Sequence, residues 1–158
     1  MDENEVVQGE DRTKCTELLN TLLASLTVFE RNVKILHWNY SGVDFVSVHP
    51  WLDGIHDDVC KHIDAVAEEI RKGGFFPAAE LNRCVEASSV AAINASIPYG
   101  NAETMKTLMT QMSAVMNIAD ALSTEADERK FWTTQDMANG ILSDLSHHRY
   151  FVANSLPR

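Results

Sequence analysis

Apolar residues recur every three or four positions along four long stretches of the chain, and no stretch shows a convincing strand-type alternation. From about Arg12 to Asn39 the stripe runs Leu18, Leu22, Leu26, Phe29, Val33 and Leu36. From about Phe45 to Lys72 it runs Leu52, Ile55, Val59, Ile63, Val66 and Ile70. Met105, Leu108, Met112, Val115, Ala119 and Leu122 follow the turn-rich IPYGN stretch, and Met137, Ile141, Leu145, His148 and Val152 run nearly to the C-terminus. Gly73 and Gly74 close the second helix, because glycine accepts the left-handed conformation of a helix end, and Pro77 forbids resumption. About 25 residues, Phe75 to Tyr99, separate the second and third helices. Unstructured loops of that length are uncommon in compact domains, so a short helix is expected there, over Ala78 to Ala87. The pattern predicts an all-α four-helix bundle of two antiparallel hairpins joined by one long crossover. An up-and-down bundle with a decorated loop is the other arrangement it allows.

Pro50 conflicts with the second stripe, since proline inside a helix deletes a donor and crowds the preceding turn. Either that helix begins near His49, or it begins near Asp44 and kinks.

At 158 residues the chain holds one substantial core, here assigned to residues 12–156 behind an acidic tail over residues 1–11. No apolar run approaches the roughly 18 residues of a membrane span. The opening MDENEVVQGE lacks the basic-then-apolar order of a leader, so a cytoplasmic, membrane-free protein is expected. Cys15, Cys60 and Cys84 are odd in number and widely spaced, which fits free thiols and no structural zinc finger. Thirteen basic residues against 23 acidic leave a net charge of −10, attractive to cations and repellent to phosphate backbones.

The candidate chemistry lies in two clusters. His37 ends the first helix and His49 begins the second, so antiparallel packing brings them to one end of the hairpin, with Asp53 one turn beyond His49. Two imidazoles and a carboxylate suit Fe(II), Zn or Mn and do not suit calcium. Asp64 and Glu68, one turn apart in IDAVAEE, repel each other unless a cation lies between them, whereas Glu69 and Arg71 read as solvated surface. His49 and Asp64 are 15 residues apart on one helix, roughly 22 Å at 1.5 Å per residue. Metal ligands sit at about 2 Å, so the clusters can share a metal only if a second chain docks antiparallel. A two-fold axis would make two such sites per dimer.

The stretch HWNYSGVDFVSVHPWLDGIHDDVCKHIDAVAEEIRKGG resembles the core of the Dps-type mini-ferritins, the ferritin-like DNA-protection proteins of starved bacteria. That family's pattern is His-Trp, a second His twelve residues on, an aspartate four later, a D-x-x-x-E pair and a closing Gly-Gly. His37-Trp38, His49, Asp53, Asp64 and Glu68 fall on it one by one, and NAETMKTLM at the third helix and TTQDM before the fourth continue the likeness. The resemblance implies a ferritin-like four-helix bundle assembled as a dodecamer. It implies ferroxidase centres across two-fold interfaces, with His37, His49 and Asp53 from one chain and Asp64 and Glu68 from its neighbour. The activity implied is oxidation of iron, Fe(II) to Fe(III), by hydrogen peroxide, with the ferric mineral stored inside and protection from oxidative damage as the result. Trp38 would lie beside that chemistry or pack in the interface.

Two departures from the family pattern stand out. Pro50 directly follows a ligand position, and the segment 123–132 is about one helical turn shorter than in typical members. Asp120, Glu125, Asp127 and Glu128 either line a cation funnel at a three-fold pore or form a solvated helix end. The tails argue against direct DNA binding: five acidic residues precede Lys14, and the C-terminal SLPR carries Arg158 alone. His56, His62, His147 and His148 read as surface or satisfied core, with His56 an extra ligand candidate seven residues past His49. The methionines read as core packing, Trp51 and Trp132 as packing or interface, and Phe75 and Phe76 as anchors of the long loop. Three functions follow: a ferroxidase and storage cage, a cage of the same fold that binds metal without turnover, and a nucleic-acid compaction protein disfavoured by charge.

Overall fold

The computed structural model describes residues 12–156, so the expected acidic tail at residues 1–11 and the final Pro157 and Arg158 lie outside the described residues. Among the described residues five helices are formed: α1 (Thr13–Asn39), α2 (Phe45–Lys72), α3 (Leu81–Ala87), α4 (Asn101–Glu128) and α5 (Trp132–Ser155). The short turns at residues 40–44 and 129–131 make α1/α2 and α4/α5 antiparallel hairpins, and α1 packs on α4 while α2 packs on α5. The crossover over residues 73–100 carries the chain back to the end of the bundle where α1 ends, with α3 lying on α1. The bundle therefore follows the single-crossover arrangement rather than the up-and-down one.

The four stripes meet in one core, in which Leu22, Leu26, Phe29, Leu36, Leu52, Ile55, Met105, Leu108, Met112 and Ile141 are fully buried. Burial of that apolar area, about 25 cal/mol per Å², is what holds helices that would be marginal alone. No helix is long and apolar enough to cross a membrane among the described residues.

α2 and α4 end in the same way. After α2, Gly74 takes φ +87°, and Gly74 and Phe75 return amide bonds to the Arg71 and Ile70 carbonyls. After α4, Lys130 takes φ +60° and Phe131 bonds back to Ala126, the same closure at a residue that glycine would fit with less strain.

α3 starts three residues later than the expected Ala78. The Ala78 amide is held by Asn20 Oδ1 at 2.9 Å and Glu80 stays extended, so the chain is tied to α1 before it can coil. TTQDM opens α5. Pro50 lies inside α2, which begins at Phe45. The acceptor its missing N–H would have used belongs to exposed Val46, where water can serve instead.

Candidate metal centre

The end of the bundle that carries the histidines is braced from both sides. The crossover returns there as an isolated β-bridge between Tyr40 and Tyr99, with Ser41 N–H donating to the Tyr99 carbonyl and Tyr99 N–H to the Asn39 carbonyl, both at 2.9 Å. Tyr40 donates its hydroxyl to Asp44 at 2.5 Å, and Asn101 donates to the other Asp44 oxygen at 2.9 Å. This network lowers the Asp44 pKa, chiefly through the Tyr40 hydroxyl. Burial and the Asp44 carboxylate push the Tyr40 phenol up to about 12.

Within that frame His37 and His49 clasp each other. His37 Nδ1 donates to the His49 carbonyl at 2.7 Å, and His49 Nδ1 donates to the His37 carbonyl at 2.9 Å. The rings stack with centroids 3.7 Å apart, and Phe45 covers the other face of His49 at 4.7 Å. A carbonyl only accepts, so each Nδ1 carries the hydrogen, which leaves Nε2 as the nitrogen a metal would bind. Backbone support of this kind at the remote nitrogen is what fixes a metal-binding imidazole.

Asp53 comes to the same place, but Lys34 has it. Lys34 Nζ lies 2.6 Å from Asp53 Oδ1, which also lies 3.5 Å from His37 Nδ1. Lys34 first, then the two histidines, hold the Asp53 carboxyl below the usual carboxylate range. Lys34 was not singled out from the sequence, although its place three residues before His37 puts it on the same helix face.

Asp64 and Glu68 are exposed, far down the same uninterrupted helix. The structure thus brings His37, His49 and Asp53 together and keeps Asp64 and Glu68 away from them within one chain. Among the described residues, the group of acidic, His or Cys ligands whose atoms all lie within 4.8 Å of one another is Glu30, His56 and Cys60.

Three expectations change. Glu69 is 3% exposed rather than solvated: Lys72 of the same helix lies 3.4 Å away, and Thr134 Oγ1 donates to it at 2.7 Å, which ties α2 to α5. Glu125 is buried between Lys14 and Arg129, which hold its carboxyl low, so of the four funnel residues only Asp120, Asp127 and Glu128 are exposed. Phe75 packs on the core, but Phe76 is exposed under the Arg71 guanidinium, 4.1 Å above its ring. Of the remaining histidines, His148 lies 2.9 Å from Asp58 and His62 2.9 Å from Asp144, both between α2 and α5, while His147 packs edge-on against Phe151.

The model of the ferritin-like domain family matches residues 16–158. An uncharacterised protein of Haemophilus influenzae is 30% identical over 126 residues, 74% of this chain and 78% of that one. A DNA protection during starvation protein of Porphyromonas gingivalis is 29% identical over 125 residues, 79% of this chain and 77% of that one. The crystal structure of a Dps protein of Vibrio cholerae superposes with a TM-score of 0.87 at 22% identity, covering 92% of this chain and 90% of that one. The chain belongs to the ferritin-like family, among its Dps-type mini-ferritins.

Proposed function

We propose that this protein oxidises Fe(II) with hydrogen peroxide at centres formed between subunits and stores the ferric product as mineral inside a cytoplasmic twelve-subunit cage. Family membership supports the iron-binding, cage-forming part of this reading. The observation that carries the site is the reciprocal clasp of His37 and His49, which commits both Nδ1 atoms to carbonyls and leaves both Nε2 atoms free. His37, His49 and Asp53 would supply donors from one subunit, and Asp64 and Glu68 of the partner subunit would complete each pocket. Trp38, next to His37 in the chain, and Phe45 and Val46, in the first turn of α2 before His49, are exposed, the last 85%, apolar surface of the kind that a docking subunit covers.

Iron is the substrate. Two Fe(II) ions each give one electron to a hydrogen peroxide, whose O–O bond breaks. With two waters the products are two ferric oxyhydroxide units and four protons. Anionic oxygens favour Fe(III) over Fe(II) and so lower the barrier, while open positions admit the oxidant. The net charge of −10 concentrates cations at the surface and argues against direct DNA binding.

Lys34 on Asp53 and Pro50 beside His49 support a second reading, a cage that binds metal with little turnover. Ferric absorbance after anaerobic Fe(II) loading and peroxide addition separates the two. Rapid stoichiometric oxidation is expected, and His37→Ala with His49→Ala should abolish it without changing the native mass. An unchanged rate in that variant refutes the site, and an assembled protein that binds Fe(II) without oxidising it establishes the second reading.

A further inference from the structure

Two helical turns down the hairpin from the stacked histidines, α1 and α2 bring a second set of donors together. Glu30 lies seven residues before His37, His56 lies seven after His49, and Cys60 follows His56 by one turn. We propose that Glu30, His56 and Cys60 form a separate divalent-cation site with the oxygen, nitrogen and sulfur donors of a zinc-class ion. The inference does not rest on the ferroxidase reading.

The geometry is close to that of a bound state. His56 Nε2 is 2.7 Å from Glu30 Oε1 and 3.6 Å from Cys60 Sγ. Tetrahedral zinc, with bonds of about 2.0 Å to nitrogen or oxygen and about 2.3 Å to sulfur, holds nitrogen and sulfur about 3.6 Å apart and nitrogen and oxygen about 3.3 Å apart. The sulfur already stands at the required separation, and the Glu30 carboxylate has only to withdraw by about half an ångström. Asp57 Oδ1 faces His56 Nδ1 at 3.3 Å, the carboxylate support that metal-binding imidazoles use at their remote nitrogen. Glu30 and His56 side chains are each 17% exposed, whereas Cys60 is exposed, which gives the ion a way in and leaves the fourth position to water. On binding, His56 Nε2 gives up the hydrogen it holds against Glu30, to its own Nδ1 or to solvent, the Cys60 thiol gives its proton to solvent, and nitrogen and thiolate bond the cation. A thiolate in the set favours zinc over magnesium or calcium.

Cobalt(II) titration of the reduced full-length protein tests this, because a thiolate ligand adds a near-ultraviolet charge-transfer band. The band should appear at one cobalt per chain, disappear when zinc is added, and persist in the His37→Ala, His49→Ala variant. Cys60→Ser should remove it, and Glu30→Gln should weaken cobalt binding at least tenfold. No band in the wild type, a band that survives Cys60→Ser, a band lost with the histidine pair, or Glu30→Gln binding as tightly as wild type would overturn the assignment.

Discussion

Asn32 interrupts the apolar face of α1 and is almost fully buried, yet it fastens the crossover to the bundle. Its amide donates to the Ala91 carbonyl at 2.8 Å and to Gln111 Oε1 at 3.1 Å, and its Oδ1 accepts from the Ile93 amide at 3.1 Å. Asn32→Leu keeps the heavy-atom count and the branched shape and removes all three bonds. The Ala91 carbonyl retains Gln111 Nε2 at 3.4 Å, so the Ile93 N–H and Gln111 Oε1 are left without partners. Two orphaned polar groups at about 1–3 kcal/mol each, partly relieved by water, put the loss near 3 kcal/mol. An unfolding entropy near 2.1 cal/mol/K per residue over 158 residues makes each kcal/mol worth about 3 °C. Melting followed by circular dichroism at fixed protein concentration should therefore show Tm lowered by about 9 °C, with faster hydrogen exchange at the Ile93 amide. A drop under about 3 °C, or unchanged exchange at Ile93, would refute the assignment of the crossover clamp to Asn32.

Lys34→Ala should release Asp53 and tighten anaerobic Fe(II) binding by up to about fivefold in calorimetry, the scale of one part-exposed ion pair, and no change would show that Lys34 does not compete for that carboxylate. At alkaline pH the sign follows from Tyr40, whose pKa rises from the ordinary 10 to about 12 in the fold. Between those values the folded state holds a proton that the unfolded state has lost, so stability falls as pH rises through that window. Tyr40→Phe should flatten that part of a denaturant midpoint series against pH, and an unaltered slope would exclude Tyr40 as its source.

The bundle was legible because core burial at every third or fourth position is a local signal: all four stripes face the core, with only Leu18, Ile63, Met137 and His148 half-buried, and Gly73, Gly74 and Pro77 mark the crossover. The clustering of His37 and His49 was legible from hairpin geometry, since only a five-residue turn separates their helices. Lys34 and Cys60 were within reach as partners one turn from His37 and His56. Glu69 and Asn32 were not, because what buries them is distant in sequence: Thr134 for the carboxylate, and Ala91, Ile93 and Gln111 for the amide. A carboxylate in EEIRK carries no sign of a threonine 65 residues on. Glu125 was misread for the same reason, its Lys14 partner lying at the far end of the chain.

The central claim is that neither hairpin end is a complete iron site and that each needs the other end of a second chain. Subunit mixing measures this directly. One variant carries His37→Ala and His49→Ala, the other Asp64→Ala and Glu68→Ala, and each alone should be inactive. Dissociated and reassembled together in equal amounts, half the two-fold pairs are mixed and each mixed pair regains one whole pocket, so about a quarter of the wild-type oxidation rate should return. A mixture of confirmed mixed assemblies as inactive as its parents would contradict the account, because donors that work within one chain cannot be rescued by a neighbour.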